Sequence, residues 1–557
     1  MRTHPLAALV LAGALLLGAC SSDSGSDAAD ASGDDATTTT APEATAGGGH
    51  ECDQGATVDD LQVAGVDGSA SDRDLTSFDG TTIRLHWFPV EGASAEEPAP
   101  TILMGPGWSL PGDSDPDGGA LFSALSIRGI WDHGYNVLTW DPRGFGQSEG
   151  VATVNDPDLE GRDVQALLDF VAAQPEAQLD GDGDPRTGMV GFSYGGGIQL
   201  TTAAIDCRVD AIVPGIAWHS LETSLYKAKT VKTGWSKVLT STVPRDRLDP
   251  HIVSAADSGL RDGSLSDEDR QWFIDRGPGD KLVGKVDVPT LLIGGTVDTL
   301  FTLDEAITNF GLLRANDVPT AMLWFCGGHG TCLTDPGDTD RIATSSFAWL
   351  DRYVKGDEGA EELPLLDLVD QDGDRWTSDE WPVETSPLAT EGSGTLELTD
   401  ASRSGGSLEG TDPDDLLAGV VSAITPTEAD AALEVALDLG DADGLVLGPP
   451  TLEVTYAGTL PEGETDGRVF AQLVDDRAGI VVGNQITPIA VTLDGKEHTV
   501  EVPLEVIAQD LSSSGPLTLQ LVATTTAYAT PPLGGTFDAT AIRLTLPVAA
   551  GDAVVER

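Results

Sequence analysis

Basic side chains are scarce in this sequence of 557 residues. It has 30 lysines and arginines against 91 aspartates and glutamates, which gives a formal net charge of −61 at pH 7. A chain with this charge is repelled by nucleic acid and by bare anionic lipid surfaces, so neither is an expected partner. Hydrophobic residues at 40% and charged residues at 22% are typical of a globular protein. At this length we expect two folded domains in addition to any tails.

The apolar run near the start of the chain is too short to cross a bilayer. Residues 6–17 follow Arg2 and form a run typical of a signal peptide. The run leads into Leu-Gly-Ala-Cys, which resembles the lipobox of bacterial lipoproteins, so we expect a lipoprotein signal peptide over residues 1–20, with cleavage directly before Cys20 and lipidation of that cysteine. The alternative is a plain secretory signal with an incidental cysteine. Residues 21–50 carry almost no large apolar side chains and are expected to be a disordered tether that holds the protein at the outer face of the bacterial cell membrane.

The sequence has no CxxC pair, which argues against a structural zinc site. Besides Cys20, the cysteines are Cys52, Cys207, Cys326 and Cys332. An even number in an exported protein allows two disulfides in three connectivities. We favour a bridge between Cys326 and Cys332 and, by elimination, one between Cys52 and Cys207.

Short apolar runs alternate with longer amphipathic ones through the first part of the chain. This alternation predicts a doubly wound parallel sheet of the α/β class for a domain over residues 51–360. The predicted strands are 81–88, 101–105, 136–140, 186–192, 209–214, 288–294 and 319–325, and the predicted helices include 159–173, 303–315 and 340–354.

Two further regions depart from this alternation. Residues 218–285 carry several tryptophans among many charges and are expected to form a helical cap, with Trp218 and Trp235 as walls of a substrate pocket. Residues 361–557 contain period-two segments separated by Gly, Pro and Asp, which predicts an all-β sandwich.

The central chemical signal is Gly-Phe-Ser-Tyr-Gly at residues 191–195, between an apolar strand and a helix. This is the GxSxG nucleophile elbow in the context that it requires. A serine hydroxyl must stand exposed on a sharp turn before a base can activate it, so Ser193 is the predicted nucleophile. Residues 195–197 are all glycine at the start of the helix, at a cost of about 1 kcal/mol each, which close approach of neighbouring strands would offset.

The predicted partners of the serine follow in the chain order typical of this fold. Asp298 lies on the loop after strand 288–294, and His329 lies in a Gly-rich loop after strand 319–325. We assign His329 as the base and Asp298 as the acid that orients it; Asp304 and Asp317 are the rival acids.

A hydrolase of this kind also needs two backbone donors for the oxyanion. One is the N–H of Tyr194, directly after the nucleophile. Residues 105–108, Gly-Pro-Gly-Trp, resemble the His-Gly-Phe/Trp turn of many α/β-hydrolases, so the N–H of Trp108 is the second candidate.

Three Asp-Gly segments imitate the opening of an EF-hand loop, at residues 113–118, 180–184 and 370–374. None has glutamate at the twelfth position, where a calcium loop needs it. Turns are therefore the favoured interpretation, calcium binding stays open as an alternative, and neither a metal nor another cofactor is expected for the reaction.

Taken together, these features resemble the X-prolyl dipeptidyl peptidase and cocaine esterase family of α/β-hydrolases. Residues 141–150, Asp-Pro-Arg-Gly-Phe-Gly-Gln-Ser-Glu-Gly, are similar to the family's Asp-x-Arg-Gly-x-Gly-x-Ser-x-Gly segment, and residues 193–196 are similar to its Ser-Tyr-Gly-Gly elbow. The resemblance implies a hydrolase domain, a helical cap and a carboxyl-terminal jelly roll over roughly residues 75–550, in which residues 467–475 resemble a jelly-roll strand. The chain departs from the family at residues 106–108, where the peptidase and esterase have a tyrosine that assists the oxyanion.

The predicted function is a serine hydrolase that cleaves an ester or amide acyl bond of a small molecule or peptide through an acyl-enzyme. One alternative is an X-prolyl dipeptidyl aminopeptidase, for which Glu222 in the cap is a conceivable anchor for the substrate's amine, although a solvated glutamate is favoured. A second alternative is a surface lipoprotein that binds without catalysis. The sequence gives no indication of an oligomeric state.

Overall fold

A computed structural model describes residues 61–118, 125–405, 424–439 and 442–557 of the chain. The predicted signal peptide, Cys20, the tether at 21–50 and Cys52 lie outside the described residues. In the described part, no helix has both the length and the apolar character needed to cross a membrane.

The first half of the chain builds most of one twelve-stranded sheet. From edge to edge its strand order is β1-β2-β3-β5-β4-β8-β9-β10-β11-β12-β13-β27. These strands are β1 Gln62–Gly65, β2 Asp72–Thr76, β3 Thr82–Phe88, β4 Thr101–Gly105, β5 Asn136–Trp140, β8 Thr187–Phe192, β9 Ala211–Gly215, β10 Thr290–Gly295, β11 Thr320–Phe325, β12 Leu366–Val369, β13 Arg375–Ser378 and β27 Val555–Glu556. A separate two-stranded hairpin consists of β6 Leu179–Gly181 and β7 Asp184–Pro185.

The central strands, from β5 to β12, run parallel, whereas the strands at both edges are antiparallel. Neighbouring residues of one strand are buried against opposite layers: Leu103 belongs to one apolar core and Ile102 to another. Strands that are buried on both faces read as continuous apolar runs, which is why the sequence revealed them.

Helices cover both faces of this sheet. Outside the cap they are α1 Ile127–Asp132, α2 Glu160–Ala172, α3 Tyr194–Ile205, α9 Leu303–Ala315 and α10 Arg341–Tyr353. The predicted helices at 159–173, 303–315 and 340–354 thus form within one or two residues of their expected ends. In α2, Val164, Leu167, Leu168 and Val171 are all buried, as the 3.6-residue spacing requires.

The cap that was predicted at 218–285 is helical. Its helices are α4 Leu221–Leu225, α5 Thr233–Ser241, α6 Pro250–Asp262, α7 Asp267–Ile274 and α8 Gly279–Val283, with single 3₁₀ turns at Lys227–Lys229 and Arg245–Arg247. Side chains cap several of their first turns: Ser220 accepts from Glu222 N, Asp249 from His251 N and Ser266 from Asp269 N.

The second half of the chain forms two larger sheets that share one apolar core, and a small sheet of two short strands, Arg403–Ser404 and Thr524–Thr525. One has the order β22-β18-β26-β17-β23 with β14 also paired to β26, and the other has the order β16-β24-β19-β20 with β21 also paired to β19. The strands are β14 Thr385–Glu397, β15 Arg403–Ser404, β16 Leu433–Ala436, β17 Leu445–Gly448, β18 Thr451–Thr459, β19 Asp466–Asp475, β20 Ile480–Val481, β21 Thr487–Thr492, β22 His498–Pro503, β23 Ile507–Asp510, β24 Leu517–Val522, β25 Thr524–Thr525 and β26 Thr536–Ala549, and 3₁₀ turns lie at Pro461–Gly463 and Val482–Asn484. Leu452, Val454 and Tyr456 of β18 are buried whereas Glu453 is exposed, so the period-two pattern reports a half-buried strand. The fold is therefore an α/β-hydrolase sheet with a helical cap, followed by an all-β sandwich.

The large sheet extends beyond residue 360, where we had expected the first domain to end. β12 pairs in parallel with β11, β13 follows it antiparallel, and β27 near the end of the chain pairs with β13. The reason is burial: Leu366 and Leu368 of β12 are fully buried in the core of this sheet. The chain thus passes through the hydrolase sheet again after the sandwich strands.

Candidate active site

Ser193 stands on a sharp turn between β8 and α3. Its backbone angles are φ 58° and ψ −115°, a conformation that a residue with a side chain rarely adopts. Such backbone strain costs of the order of 1–3 kcal/mol and persists where the surroundings enforce it. The local structure therefore has the geometry of a nucleophile elbow.

The glycines around Ser193 allow two backbones to approach each other. A Cβ atom on Gly195 would lie 2.1 Å from the carbonyl oxygen of Gly105, and one on Gly196 would lie 2.5 Å from that of Gly215. Gly191, at φ 153°, is enclosed in the same way. These contacts of α3 with β4 and β9 are the close approach that the three consecutive glycines predicted.

Buried amides hold the turn from below. Gln199 donates to the carbonyl oxygens of Gly191 and Gly195, at 3.1 and 2.8 Å, and accepts from Val213 N. Asn155, itself at φ 57°, donates to the carbonyl oxygen of Tyr194 at 2.8 Å. Sequence reasoning missed both residues, because an isolated Gln or Asn has no local pattern that marks such a role.

Asp298 and His329 meet at the carboxyl ends of β10 and β11. Oδ2 of Asp298 lies 2.7 Å from Nδ1 of His329 and accepts from the backbone N–H of His329 at 3.0 Å. Its Oδ1 accepts from the N–H groups of Leu300 and Phe301 at 2.8 and 2.9 Å. Asp298 is fully buried, so these four bonds satisfy the carboxylate and fix the orientation of the imidazole.

The other ring nitrogen of His329 has no partner. Its Nε2 is buried and makes no hydrogen bond to any of the described residues. The ring is held edge-on by Phe301 and Trp235, with centroid separations of 5.2 and 5.7 Å. Phe301 also lines the cavity that Ser193 lines, so the same aromatic ring contacts both His329 and this cavity.

A disulfide joins Cys326 to Cys332 across the loop that carries His329, as predicted. The loop packs tightly on its neighbour, since a Cβ on Gly330 would lie 2.0 Å from the carbonyl oxygen of Val297. Cys207 lies exposed on the surface. Because Cys52 lies outside the described residues, its pairing with Cys207 stays a prediction.

An apolar cavity lies between the cap and Ser193, with about 950 Å³ of empty space, part of it open to solvent. Trp218 lines it, as expected for a pocket wall, whereas Trp235 does not and instead packs on His329, with its Nε1 donating to Thr299 Oγ1 at 3.0 Å. The lining is mainly apolar; its polar side chains include Ser193, Glu222, Ser236, Thr240 and Arg270. The carboxylate of Glu222 forms an ion pair with Arg270 at 2.5 Å.

The two predicted oxyanion donors, Tyr194 and Trp108, line the same cavity as Ser193. Tyr194 is the first residue of α3, a position whose N–H has no partner within a helix. The ring of Trp108 packs edge-on against Tyr194 at 5.3 Å, and its Nε1 donates to the carbonyl oxygen of Leu239 in the cap. Both residues line the cavity.

The Asp-x-Arg-Gly segment at 141–150 supports the site without entering the cavity. Burial opposes the charge on Arg143, but hydrogen bonds with Asp163 and Asp79 raise the pKa of its guanidinium above the ordinary value. Asp163 lies on α2, as does Glu160. The carboxylate of Glu160 accepts a hydrogen bond from the hydroxyl of Tyr194 at 3.1 Å. Burial raises the pKa of Glu160 to about 7. The segment therefore braces the helix that packs under the elbow.

No cluster of three or more metal-ligating side chains occurs in the part of the chain that the structure describes. Within the Asp-Gly segment 370–374, Asp370 accepts from Asp372 N, Asp374 N and Trp376 Nε1. Burial raises the pKa of Asp370 to about 6. These hydrogen bonds are those of a turn, which was the favoured interpretation.

Two side chains of the sandwich also reach the site and were not anticipated. Gln485 and Asn484, just before β21, contact the loops of Asp298 and His329. Their contacts span 187 and 153 residues of sequence, and nothing near them in the chain signals that distance.

The sequence profile of the X-Pro dipeptidyl-peptidase (S15) family matches residues 79–331. A polyketide transferase of a Penicillium species is 33% identical over 143 residues, which are 26% of this chain and 43% of the transferase. The chain thus spans less than half the length of that curated relative.

Two solved structures share the fold over nearly the whole chain. A CocE/NonD family hydrolase from Staphylococcus aureus, at 13% identity, matches 86% of this chain and 93% of its own with a TM-score of 0.60. An α-amino-acid ester hydrolase, at 12% identity, matches 88% and 97% with a TM-score of 0.60. The profile covers Ser193, Asp298 and His329, so residues 79–331 are similar in sequence to the X-Pro dipeptidyl-peptidase (S15) family, and the two solved structures share the α/β-hydrolase fold. Together these findings support a serine hydrolase.

Proposed function

We propose that Ser193, His329 and Asp298 are the catalytic triad of this hydrolase. His329 takes the proton of the Ser193 hydroxyl as its oxygen attacks the acyl carbonyl carbon, and it then gives that proton to the leaving group. Water hydrolyses the resulting acyl-enzyme with the same imidazole as base. Asp298 stays ionised and stabilises the imidazolium.

The observation that carries this proposal is the state of the imidazole. One ring nitrogen of His329 is bound to the buried Asp298 at 2.7 Å, and the other is buried without a partner. In the absence of substrate, the hydrogen bond between a base and its nucleophile is often long and tightens only in the complex. An unpartnered Nε2, on a ring that packs against the cavity-lining Phe301, supports the role of general base.

The backbone N–H groups of Tyr194 and Trp108 are the proposed oxyanion donors. The N–H of Tyr194 begins α3, so the positive end of the helix dipole adds to the stabilisation of the oxyanion. The chain has Trp108 in the turn where the peptidase and esterase of the family have their tyrosine, so we assign this role to a backbone group. The indole of Trp108 is a wall of the acyl site.

The cavity favours an ester with a bulky apolar acyl group. Its lining includes Trp218, Leu221, Ile252 and Phe301, and burying an apolar group there gains about 25 cal/mol per Å². A dipeptidyl peptidase needs a carboxylate for the substrate's amine, and Glu222 is already paired with Arg270. We therefore favour a carboxylesterase and keep the X-prolyl dipeptidyl aminopeptidase as the second candidate.

We also propose that the enzyme acts outside the cytoplasm, anchored by a lipid on Cys20 through the tether at 21–50. The lipobox-like segment at 17–20 supports this location. Its test is metabolic labelling with an alkyne fatty acid, which should mark the chain but not a Cys20→Ser variant. Labelling of that variant would contradict the anchor.

The test of the triad uses a fluorophosphonate probe, because only a base-activated serine reacts with it rapidly. The wild-type chain should be labelled at Ser193, and Ser193→Ala should lose both labelling and turnover without a change in melting temperature. p-Nitrophenyl esters of increasing acyl length, compared with an Ala-Pro p-nitroanilide, separate the two candidate activities. Retention of most activity by Ser193→Ala would overturn the assignment.

A further inference from the structure

The loop that carries Asp298 is held from three directions. Within the loop, the N–H groups of Leu300 and Phe301 bind its carboxylate. From the cap, Lys232 Nζ donates to the carbonyl oxygen of Leu300 at 3.0 Å. From the sandwich, Nε2 of Gln485 donates to the carbonyl oxygen of Asp298 itself at 2.9 Å. The main chain of Asp298 is thus bound by the sandwich, whereas its side chain is bound by its own loop and by His329.

The loop that carries His329 is tied to the same turn of the sandwich. Nδ2 of Asn484 donates to the carbonyl oxygen of Thr331 at 3.0 Å, two residues after the histidine. Asn484 is only 1% exposed and has φ 53°, a left-handed conformation that asparagine tolerates better than most residues. This conformation turns consecutive side chains of the segment 482–485 toward two different loops.

Glu505 provides a third contact between the sandwich and the loop that carries Asp298. Glu505, buried in the sandwich, accepts from Thr302 Oγ1 at 3.0 Å and from Lys227 Nζ at 2.6 Å. Thr302 precedes α9 and ends the loop that carries Asp298. The sandwich therefore binds this loop at both ends, at Asp298 and at Thr302.

We propose that Gln485 and Asn484 are positioning residues, which set the separation of the Asp298 and His329 loops and thereby the orientation of the imidazole toward Ser193. Neither side chain contacts the acyl cavity, so they act through the triad and not on the substrate. Proton transfer depends steeply on geometry, and a displacement of about 1 Å can cost about 100-fold in rate. This role rests on the proposed triad, and it gives the sandwich a part in catalysis.

The experiment replaces the amide of Gln485 in the full-length chain. Gln485→Met keeps the length of the side chain and removes the donor. We expect kcat for p-nitrophenyl butyrate, and the rate of fluorophosphonate labelling, to fall by about 10-fold to 100-fold, with KM within about twofold of the wild type. Asn484→Asp, which keeps the shape and the left-handed preference, should also lower kcat.

Gln509→Met is the matched control. Gln509 is a buried glutamine of the same domain whose Nε2 donates to Asp372 at 3.2 Å and contacts neither loop. It should keep the wild-type kcat even if its melting temperature falls as far as that of Gln485→Met. A kcat of Gln485→Met within twofold of the wild type, or an equal loss in Gln509→Met, would overturn the proposal.

The outcome separates this proposal from the triad itself. If Ser193→Ala abolishes labelling while Gln485→Met and Asn484→Asp are labelled at the wild-type rate, the triad stands and the positioning role fails. If Ser193→Ala is still labelled, the triad fails, and the positioning role fails with it.

Discussion

Two glycines in helices show that the surroundings of a residue decide how a Gly→Ala substitution changes the free energy of unfolding. Gly195 lies at the start of α3 with no room for a side chain, whereas Gly311 lies in α9 with nothing within 4 Å of the position of a Cβ. Gly195→Ala should lower the free energy of unfolding by about 1–3 kcal/mol, because the added methyl group would overlap Gly105. Gly311→Ala should raise it by about 0.5–1 kcal/mol, because alanine favours the helix.

Urea denaturation of the two variants measures both changes, and fluorophosphonate labelling reports whether the elbow is intact. Gly195→Ala should also lose labelling, whereas Gly311→Ala should keep it. A Gly195→Ala variant as stable as the wild type would contradict the close approach of α3 to β4.

Lys232 is a buried cation whose effect on stability depends on pH. Burial lowers the pKa of Lys232 to about 8 in the folded protein, from an ordinary value of 10.5. Between these two values the unfolded chain binds a proton that the folded chain does not, so the contribution of Lys232 to stability rises with pH. Below about pH 8 the ammonium is charged in both states and its burial opposes folding in full.

Lys232→Met isolates this effect. Relative to the variant, the wild type should gain up to about 3 kcal/mol of unfolding free energy between pH 8 and pH 10.5. Urea denaturation at both pH values measures the change, and Lys237→Met, on the exposed side of α5, is the control that should show no such difference. A constant difference between wild type and Lys232→Met across this window would contradict the prediction.

Among the elements, the histidine loop depends most on a covalent restraint. The Cys326–Cys332 disulfide closes a loop with a sequence separation of only six around His329. Replacing both cysteines with serine should cost about 2 kcal/mol of stability, the loop-closure entropy of so short a segment. It should cost about tenfold in kcat/KM, because the freed loop samples positions in which the imidazole does not face Ser193.

Thermal melting and ester hydrolysis of the double variant measure both effects, and treatment of the wild type with a reductant provides the comparison. Asp298 and Asn484 still hold the loop, so partial activity is expected. Full activity in the double variant would show that the disulfide does not position the histidine.

The predicted strands of the sheet followed the sequence closely because most of them are buried on two faces. β4 and β5 begin and end at the predicted residues, and the other predicted strands begin or end within two residues of the expected positions. The strand predicted at 288–294 starts two residues late, at Thr290, because Pro289 has no N–H to contribute to a ladder. The short strand β12 was missed, since its four residues are bounded by irregular segments.

At the scale of the whole molecule, the excess of acidic side chains should oppose the compact state. A formal charge of −61 repels itself over distances that salt shortens, from a Debye length of about 30 Å at 0.01 M to about 8 Å at 0.15 M. We therefore expect the melting temperature to rise when NaCl is increased from 10 to 150 mM, by about 1 °C for each kcal/mol that screening contributes, because the unfolding entropy of a chain this long is large. Calorimetry at several salt concentrations measures the rise, and a fall would contradict the prediction.

The sequence by itself determined the strands, turns and disulfide of the candidate site and their order along the chain. The turn around Ser193, the strands before Asp298 and His329, and the cysteines around the histidine are all local patterns, because strand burial, glycine and loop length leave marks along the chain. Only the tertiary structure decided what surrounds them. That Trp235 packs on His329 and that Gln485 holds Asp298 from 187 residues away follow from the packing of the cap and the sandwich on the sheet, and contacts between distant segments have no local signature.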